Sequence, residues 1–367
     1  MIVDTLVELL GFSAEDPAFW MPLVFMGLLF SIIVAAVVLD GFDIGVGCLT
    51  LFAPAQMRPR MLALLGPWRD ANEFWLFLGL GVFIAAFPNA WGAVMGQLYA
   101  PLCLLALGVL LRTVAFEFRL RSPIGMQQRW IIAFGLGSLM TALSHGLLLA
   151  RVVVAYRTGG GYLAYSLFVA ACCLAAYCLL GATWLIMREQ GAIRLLAVFW
   201  GRRAVRWTAA GAVAVSVVLA FANTGVFLKW SDGPQWTLVA LLWLVLLLCF
   251  VTIELSLQRM VTHSDRMTLL PFSATLVTML VVLGGLFYSF FPYLVLDDIT
   301  IWDGSASVDS LRLILAAAVV AMPVALIFNI WVYWRMFGLS RPPEPPALKQ
   351  ADSRQQGQAD HHLQSSR

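Results

Sequence analysis

The sequence predicts an all-α polytopic membrane protein, and three observations carry that assignment. Hydrophobic residues fill 61% of the 367 positions. Charged residues fill only 12%, against about 25% in an ordinary soluble domain. The apolar residues also fall in long runs, and about 20 of them in a row cross a hydrocarbon core of about 30 Å. Backbone polar groups in lipid must be satisfied within the spanning structure, so such runs are helices or barrel strands. They lack the ten-residue alternation of barrel strands, which leaves helices. The same figures exclude a disordered chain, a disulfide-rich secreted fold and a coiled coil. A net charge of +3 is too small to argue for a nucleic-acid partner.

Nine runs read as spans: Trp20–Thr50, Phe74–Met95, Leu98–Phe118, Trp130–Ala150, Tyr162–Met187, Trp207–Leu228, Trp236–Leu255, Leu269–Leu294 and Leu311–Phe337. Several start or stop at Trp or Tyr, residues that settle at the lipid headgroups. The connection Arg188–Arg206 divides the chain near its middle. The expected architecture is therefore two four-helix bundles plus one peripheral helix. Residues 20–150 form the first bundle, 151–310 the second and 311–338 the ninth helix. An outward segment, 1–19, precedes them and a disordered cytoplasmic tail, 339–367, closes the chain. Within 1–19, Ile2–Phe12 is a candidate interfacial helix, and no positive region marks a secretory signal.

Orientation follows from Lys and Arg. With the first connecting loop in the cytoplasm, 18 of the 23 basic residues fall on that side. Arg151, Arg157, Lys229 and Arg312 fall on the other, and Arg112 lies within a span. The segment before the first span carries Asp4, Glu8, Glu15 and Asp16 without a cation, which places the N-terminus outside and the C-terminus inside.

Ionisable residues inside spans cost roughly 2.5–3.5 kcal/mol each, so each needs a reason. The first group is Asp40-Gly41-Phe42-Asp43-Ile44-Gly45-Val46-Gly47. Its acids share a helix face, and Gly41 and Gly45 allow close helix contact. It reads either as a structural acid pair at a crowded crossing or as part of a proton or ion path. The second group is Trp68-Arg69-Asp70-Ala71-Asn72-Glu73-Phe74-Trp75, at the mouth of the second span. Its acids suit a helix N-terminus and are equally placed to collect protons. The third is Arg112-Thr113-Val114-Ala115-Phe116-Glu117-Phe118-Arg119. Arg112 must find an acid, and Asp40, Asp43, Asp70 or Glu73 lie in the same cytoplasmic layer. These depths imply a charge network of Arg112, Glu117, Arg119 and Arg69 with those acids, joining the first three spans.

His145 is the one intramembrane histidine; His263 falls in a loop and His361 and His362 on the tail. Axial haem ligands are commonly His or Met, but His145 beside Ser144 reads first as a satisfied core residue. Cys48, Cys103, Cys172, Cys173, Cys178 and Cys249 all fall in apolar runs without metal-ligand spacing, as small buried hydrophobes do. No metal site, phosphate-binding loop or hydrolase nucleophile motif is present. The acidic loop Asp297-Asp298-Ile299-Thr300-Ile301-Trp302-Asp303 reads as solvated. A secondary transporter is the competing class, although its acids are expected at broken helices in mid-membrane.

The chain resembles subunit II of the cytochrome bd-type ubiquinol oxidases, including the cyanide-insensitive branch, over nearly its whole length to Gly338. Asp40 to Gly47 is similar to the family's D-G-F-D-x-G-x-G segment, and Asp70 to Trp75 to its D-G-N-x-x-W segment. Phe87-Pro88, the Arg112–Arg119 stretch, Gly181-Ala182-Thr183, Phe291-Pro292, Trp302-Asp303 and Tyr333-Trp334-Arg335-Met336-Phe337-Gly338 come next in family order. The resemblance implies a nine-helix subunit with no catalytic residue and no metal of its own. Its partner, subunit I, is expected to hold the b-type haems and haem d, to oxidise quinol from the membrane pool and to reduce oxygen to water. It further implies cytoplasmic proton entry lined by a carboxylate at Asp70, to which the positions of Glu73, Asp40 and Asp43 add further path candidates. A structurally bound quinone and a small single-span accessory subunit are further implications. A purely structural partner of subunit I is the alternative. Arg69 departs from the family, which has Trp there.

Overall fold

The computed structural model describes residues 15–66, 69–262 and 267–339. The Ile2–Phe12 segment, Trp68, His263, Arg266 and the tail with His361 and His362 lie outside the described residues. The chain divides into two units, one ending at Ala321 and one beginning at Met322.

The first unit is built from long helices. Helix α1, Pro17–Ala35, starts where Asp16 accepts a hydrogen bond from the Ala18 amide (2.9 Å) and Pro17 supplies a ready-set φ. It runs through a π-helical turn, Ala36–Asp40, into α2, Gly41–Thr50, so that one continuous helical path of 34 residues results. The extra residue of a π turn rotates the next stretch of helix by about 100°. Every residue of α2 is buried, whereas α1 alternates buried and exposed positions.

After the short α3, Arg58–Ala63, come α4, Arg69–Ala86, and α5, Pro88–Arg121. The sequence expectation puts this boundary between Met95 and Leu98; the chain breaks at Phe87-Pro88 instead. Proline disfavours helical backbone in the residue before it and starts a helix well itself, and Phe87 takes φ −128° and ψ 54°. The next helices are α6, Ile124–Val153, α7, Gly160–Arg188, and α8, Gly191–Ala222. The expected connection Arg188–Arg206 is thus mostly the first turns of α8. The short α9, Thr224–Ser231, leads to α10, Gly233–Thr262, and α11, Leu269–Phe290.

A two-stranded antiparallel hairpin, β1 Tyr293–Val295 and β2 Ile299–Thr300, precedes the one-turn α12, Ile301–Gly304. The last helix is α13, Val308–Leu339. Its residues from Met322 onward are the described part of the second unit, one helical stretch with Pro323 inside it.

Among the described residues eight helical segments are long and apolar enough to cross a membrane. Helix α4 is the ninth long helix, and Arg69, Asp70 and Glu73 in its first turns set it apart from the other eight.

Neighbours in sequence pack as antiparallel pairs, α5 with α6, α7 with α8 and α10 with α11, while α2 lies against both α6 and α7. The α2–α7 crossing is backbone on backbone. A side chain at Gly45 would meet the Tyr177 carbonyl, and one at Gly181 would meet the Val46 amide. The acidic loop, expected to be solvated, instead closes the other end of the molecule. Trp302 stacks on Phe19 (5.7 Å) and its indole N–H donates to the Phe19 carbonyl (3.0 Å). Ile301 is fully buried beside Met21, Phe25 and Phe87. Thr300 and Asp303 cap this turn reciprocally. Burial of Ile301 and partial burial of Trp302 outweigh the loop's acidity, because the acids themselves stay exposed at its rim.

Candidate functional site

The polar core gathers where α4 and α5 flank the π turn. Asp40 ends that turn, and Arg112 of α5 grips it with both fork nitrogens, Nη1 to Oδ2 at 2.8 Å and Nη2 to Oδ1 at 2.7 Å. The Arg112 side chain is 0% exposed and that of Asp40 is 4%. A bidentate pair is the geometry in which attraction best offsets the desolvation of both charges. Arg112 also lies over the Phe134 ring (5.8 Å).

Asp43, one turn along on α2, does not share this partner. Its Oδ2 accepts from Asn72 Nδ2 of α4 (2.8 Å), while its buried Oδ1 has no hydrogen bond. Glu73 is held from two sides: Thr113 Oγ1 lies 3.0 Å from both of its oxygens, and Arg69 Nη1 donates to Oε2 at 3.1 Å. Arg69 reaches outward as well, its Nη2 donating to Asp70 Oδ1 at 2.6 Å. The Arg69 side chain is 1% exposed and that of Asp70 is 67%. One buried guanidinium thus joins a surface carboxylate to an interior one.

Phe116 lies between two cations, Arg69 at 4.5 Å on the ring and Arg119 at 4.0 Å. Arg119 is therefore placed by cation–π contact. Glu117 faces out and pairs with Arg121 (3.3 Å), apart from the buried cluster. Asp40, Asp43, Glu73, Arg69 and Arg112 are brought together; Asp70 stands at the rim and Glu117 outside. Sequence reasoning misses Thr113 and Asn72, the neutral groups that satisfy the carboxylates. Their positions, one beside Arg112 and one between Asp70 and Glu73, are the available signal.

A second feature lies across the α2–α7 crossing. A cavity of about 330 Å³ opens among α1, α6, α7, α8, α10 and α11. Its walls are mostly aliphatic, with His145 and Tyr177 together on one side. The Tyr177 hydroxyl and His145 Nδ1 are 2.9 Å apart. Ser144, its sequence neighbour, instead bonds the Met140 carbonyl at 2.7 Å. Among the described residues no three His, Cys, Asp or Glu side chains converge as metal ligands.

The fold and these two features define a polytopic helical membrane subunit with its charge in one compact buried cluster and its free volume in a separate apolar cavity. Residues 21–336 match the cytochrome bd terminal oxidase subunit II family, and the chain belongs to it. The cytochrome bd ubiquinol oxidase subunit 2 of Bacillus subtilis (strain 168) is 26% identical over 315 residues, covering 81% of this chain and 90% of that protein. The cytochrome bd-I ubiquinol oxidase subunit 2 of Escherichia coli (strain K12) is 24% identical over 358 residues, covering 84% and 92%. The bd oxidase structure from Geobacillus thermodenitrificans superposes with a TM-score of 0.70 at 17% identity, over 88% of this chain and 99% of that one, and shows the same fold. The chain is therefore a subunit of a bacterial terminal oxidase, a haem-containing membrane complex that includes a partner subunit I.

Proposed function

We propose that this chain supports subunit I of a quinol oxidase and carries protons toward it from the cytoplasm by way of Asp70 and the buried carboxyl cluster. The observation that carries the reading is that Arg69 pairs with both the exposed Asp70 and the 7% exposed Glu73, so that an outer and an inner carboxyl group are gathered on one guanidinium; the guanidinium keeps its charge and the carboxyl groups carry the proton. Three buried carboxyl groups, Asp40, Asp43 and Glu73, face two buried guanidinium groups, Arg69 and Arg112. Charge balance in a low-dielectric site then leaves room for one proton among the carboxyls.

The reading places nine helices across the cytoplasmic membrane, the N-terminus outside and the C-terminus inside, in keeping with the Lys and Arg distribution. It places the haems in subunit I, whereas His145 here spends Nδ1 on Tyr177. The cavity suits a bound quinone: its aliphatic walls match a prenyl tail, and the hydrogen-bonded His145–Tyr177 pair keeps one donor for a ring carbonyl. Quinol oxidation would then belong to the partner, with this quinone a structural element. A single-span accessory subunit is part of the same proposal.

Asp70→Asn tests the proton role. Oxygen consumption by the purified complex is expected to fall at least about tenfold, the effect typical of losing a positioned proton carrier, with the reduced-minus-oxidised haem spectrum unchanged. Unaltered turnover would leave the chain a purely structural partner.

A further inference from the structure

We propose that α8 and α10 together form a binding site for the phosphate headgroup of an anionic phospholipid, built on Arg202, Arg203 and Arg206 and steadied by Glu254. The site lies away from the Asp40–Glu73 cluster and from the cavity, and it does not depend on a proton path.

The depth of these residues comes first. From Arg203 to Ala222 at the end of α8 is about 28 Å at 1.5 Å per residue, close to one hydrocarbon thickness. From Glu254 back to Gly233 at the start of α10 is about 31 Å on the same basis. The two helices pack against each other, and both therefore carry their charges in the headgroup plane. Trp207, 53% exposed, marks that plane.

The arrangement is more than a basic fringe. Arg206 Nη2 donates to Glu254 Oε1 at 3.1 Å, and Arg202 Nε stands 3.8 Å from the same oxygen. One carboxylate oxygen thus holds two guanidinium groups one helical turn apart. Arg203 lies over the exposed Phe199 ring at 4.2 Å and makes no ion pair among the described residues. Three cations meet one anion, so the site keeps two positive charges. Arg202 Nε and Glu254 Oε2 are each buried without a hydrogen-bond partner, while Gln258 Nε2 donates to Glu254 Oε1 at 3.0 Å, so the site lacks negative charge rather than an acceptor. A phosphate ester supplies the missing negative charge, and its oxygens can take guanidinium N–H groups in the bidentate geometry that arginine favours. Its acyl chains would lie along the exposed apolar face of the same helices, where Leu241, Leu244 and Leu248 of α10 point outward.

The test uses the assembled oxidase in phosphatidylcholine nanodiscs titrated with phosphatidylglycerol. Bound lipid is counted by native mass spectrometry, and the haem spectrum reports integrity. At about a fivefold contribution per cation, the Arg202→Gln/Arg206→Gln variant should bind phosphatidylglycerol roughly 25-fold more weakly, with phosphatidylcholine unchanged. Arg203→Gln, which breaks no ion pair, should cost about fivefold even if the double variant fails to assemble. Three results would overturn the site. They are equal binding by wild type and Arg203→Gln, no preference of the wild type for phosphatidylglycerol, or loss of a protein subunit rather than lipid from the double variant.

Discussion

The two sides of the α2–α7 crossing solve opposite problems. On the α4–α5 side, five ionisable side chains are buried and each has a partner at 2.6–3.1 Å, although Asp43 Oδ1, Arg69 Nε and Arg112 Nε make no hydrogen bond. On the α8–α11 side, a cavity of about 330 Å³ is left with a mostly aliphatic wall, in which His145 pairs with Tyr177 and the hydroxyls of Thr208, Thr278 and Ser289 turn back onto helix carbonyls. In a bilayer there is no bulk water to satisfy a stranded charge, so charges must be concentrated where they can answer each other. Free volume is tolerated only where the lining is apolar. Charge crowding and emptiness therefore exclude one another in space, with two glycine-lined backbones as the wall between them.

The sharpest way to break that contrast is Arg112→Leu. It leaves Asp40 buried without its fork, and uncompensated buried charge costs about 3–5 kcal/mol. The assembled complex should lose most of its yield and melt far lower. Adding Asp40→Asn should restore much of the loss, because the pair then goes together. Failure of that rescue would mean that Arg112 serves through the contact of its guanidinium with the Phe134 ring.

Next comes the wall itself. A methyl group at Gly45 would collide with the Tyr177 carbonyl, and backbone cannot step aside as a side chain can. Gly45→Ala should cost about 3 kcal/mol, at the upper end of overpacking in a dense core, and should lower the melting temperature. A neutral result would show that α2 and α7 separate freely. Gly27, with open space around it, is the matched control.

On the cavity side the effect should be smaller. Tyr177→Phe removes one hydrogen bond to His145, worth about 1 kcal/mol. If the cavity holds a quinone, the same variant should also lower the quinone that stays with the purified complex. Stability that falls with quinone content unchanged would separate the polar pair from any ligand.

The contrast also explains what is legible in the sequence. Charged residues in apolar runs are few and conspicuous, so Asp40, Asp43, Glu73, Arg69 and Arg112 can be named and assigned to one layer from sequence alone. Their pairing cannot. Asp40 and Asp43 share a helix face, yet a fork from α5 takes one and an amide from α4 takes the other. The π turn that shifts Asp40 has no residue signature in Ala36–Leu39. The cavity is invisible for a different reason: its walls are the same Leu, Val and Ala that line contacts elsewhere, and only packing distinguishes a filled seam from an empty one. Trp302 escapes sequence reasoning because an acidic loop hides an apolar foot; its burial depends on α1 arriving beside it. The Phe87-Pro88 break, by contrast, is legible, and only the unbroken apolar character of the residues after it argues for a later boundary.

The smallest effect concerns a cation that has neither kind of environment. Lys229 sits in α9, where Nζ donates to the Tyr288 and Phe291 carbonyls (2.6 and 2.9 Å) at the end of α11 and lies 4.4 Å from the Tyr288 ring centre. Among the described residues it has carbonyl dipoles for company and no carboxylate partner, and burial pushes its ammonium down from 10.5 to about 8. The sign comes from linkage. Between those values the unfolded chain holds a proton that the folded chain has released, so stability rises with pH across that window. Melting of the detergent-solubilised complex at stepped pH from about 8 to about 10 should show this rise in the wild type. Lys229→Met should melt lower overall, having lost two bonds to otherwise open carbonyls, and should lack the rise. A slope that survives the substitution would assign it to another group. A wild type flat with pH would mean that the carbonyls and the ring hold the ammonium as well as a carboxylate does, and the buried acids would then not be needed to keep a cation charged in this fold.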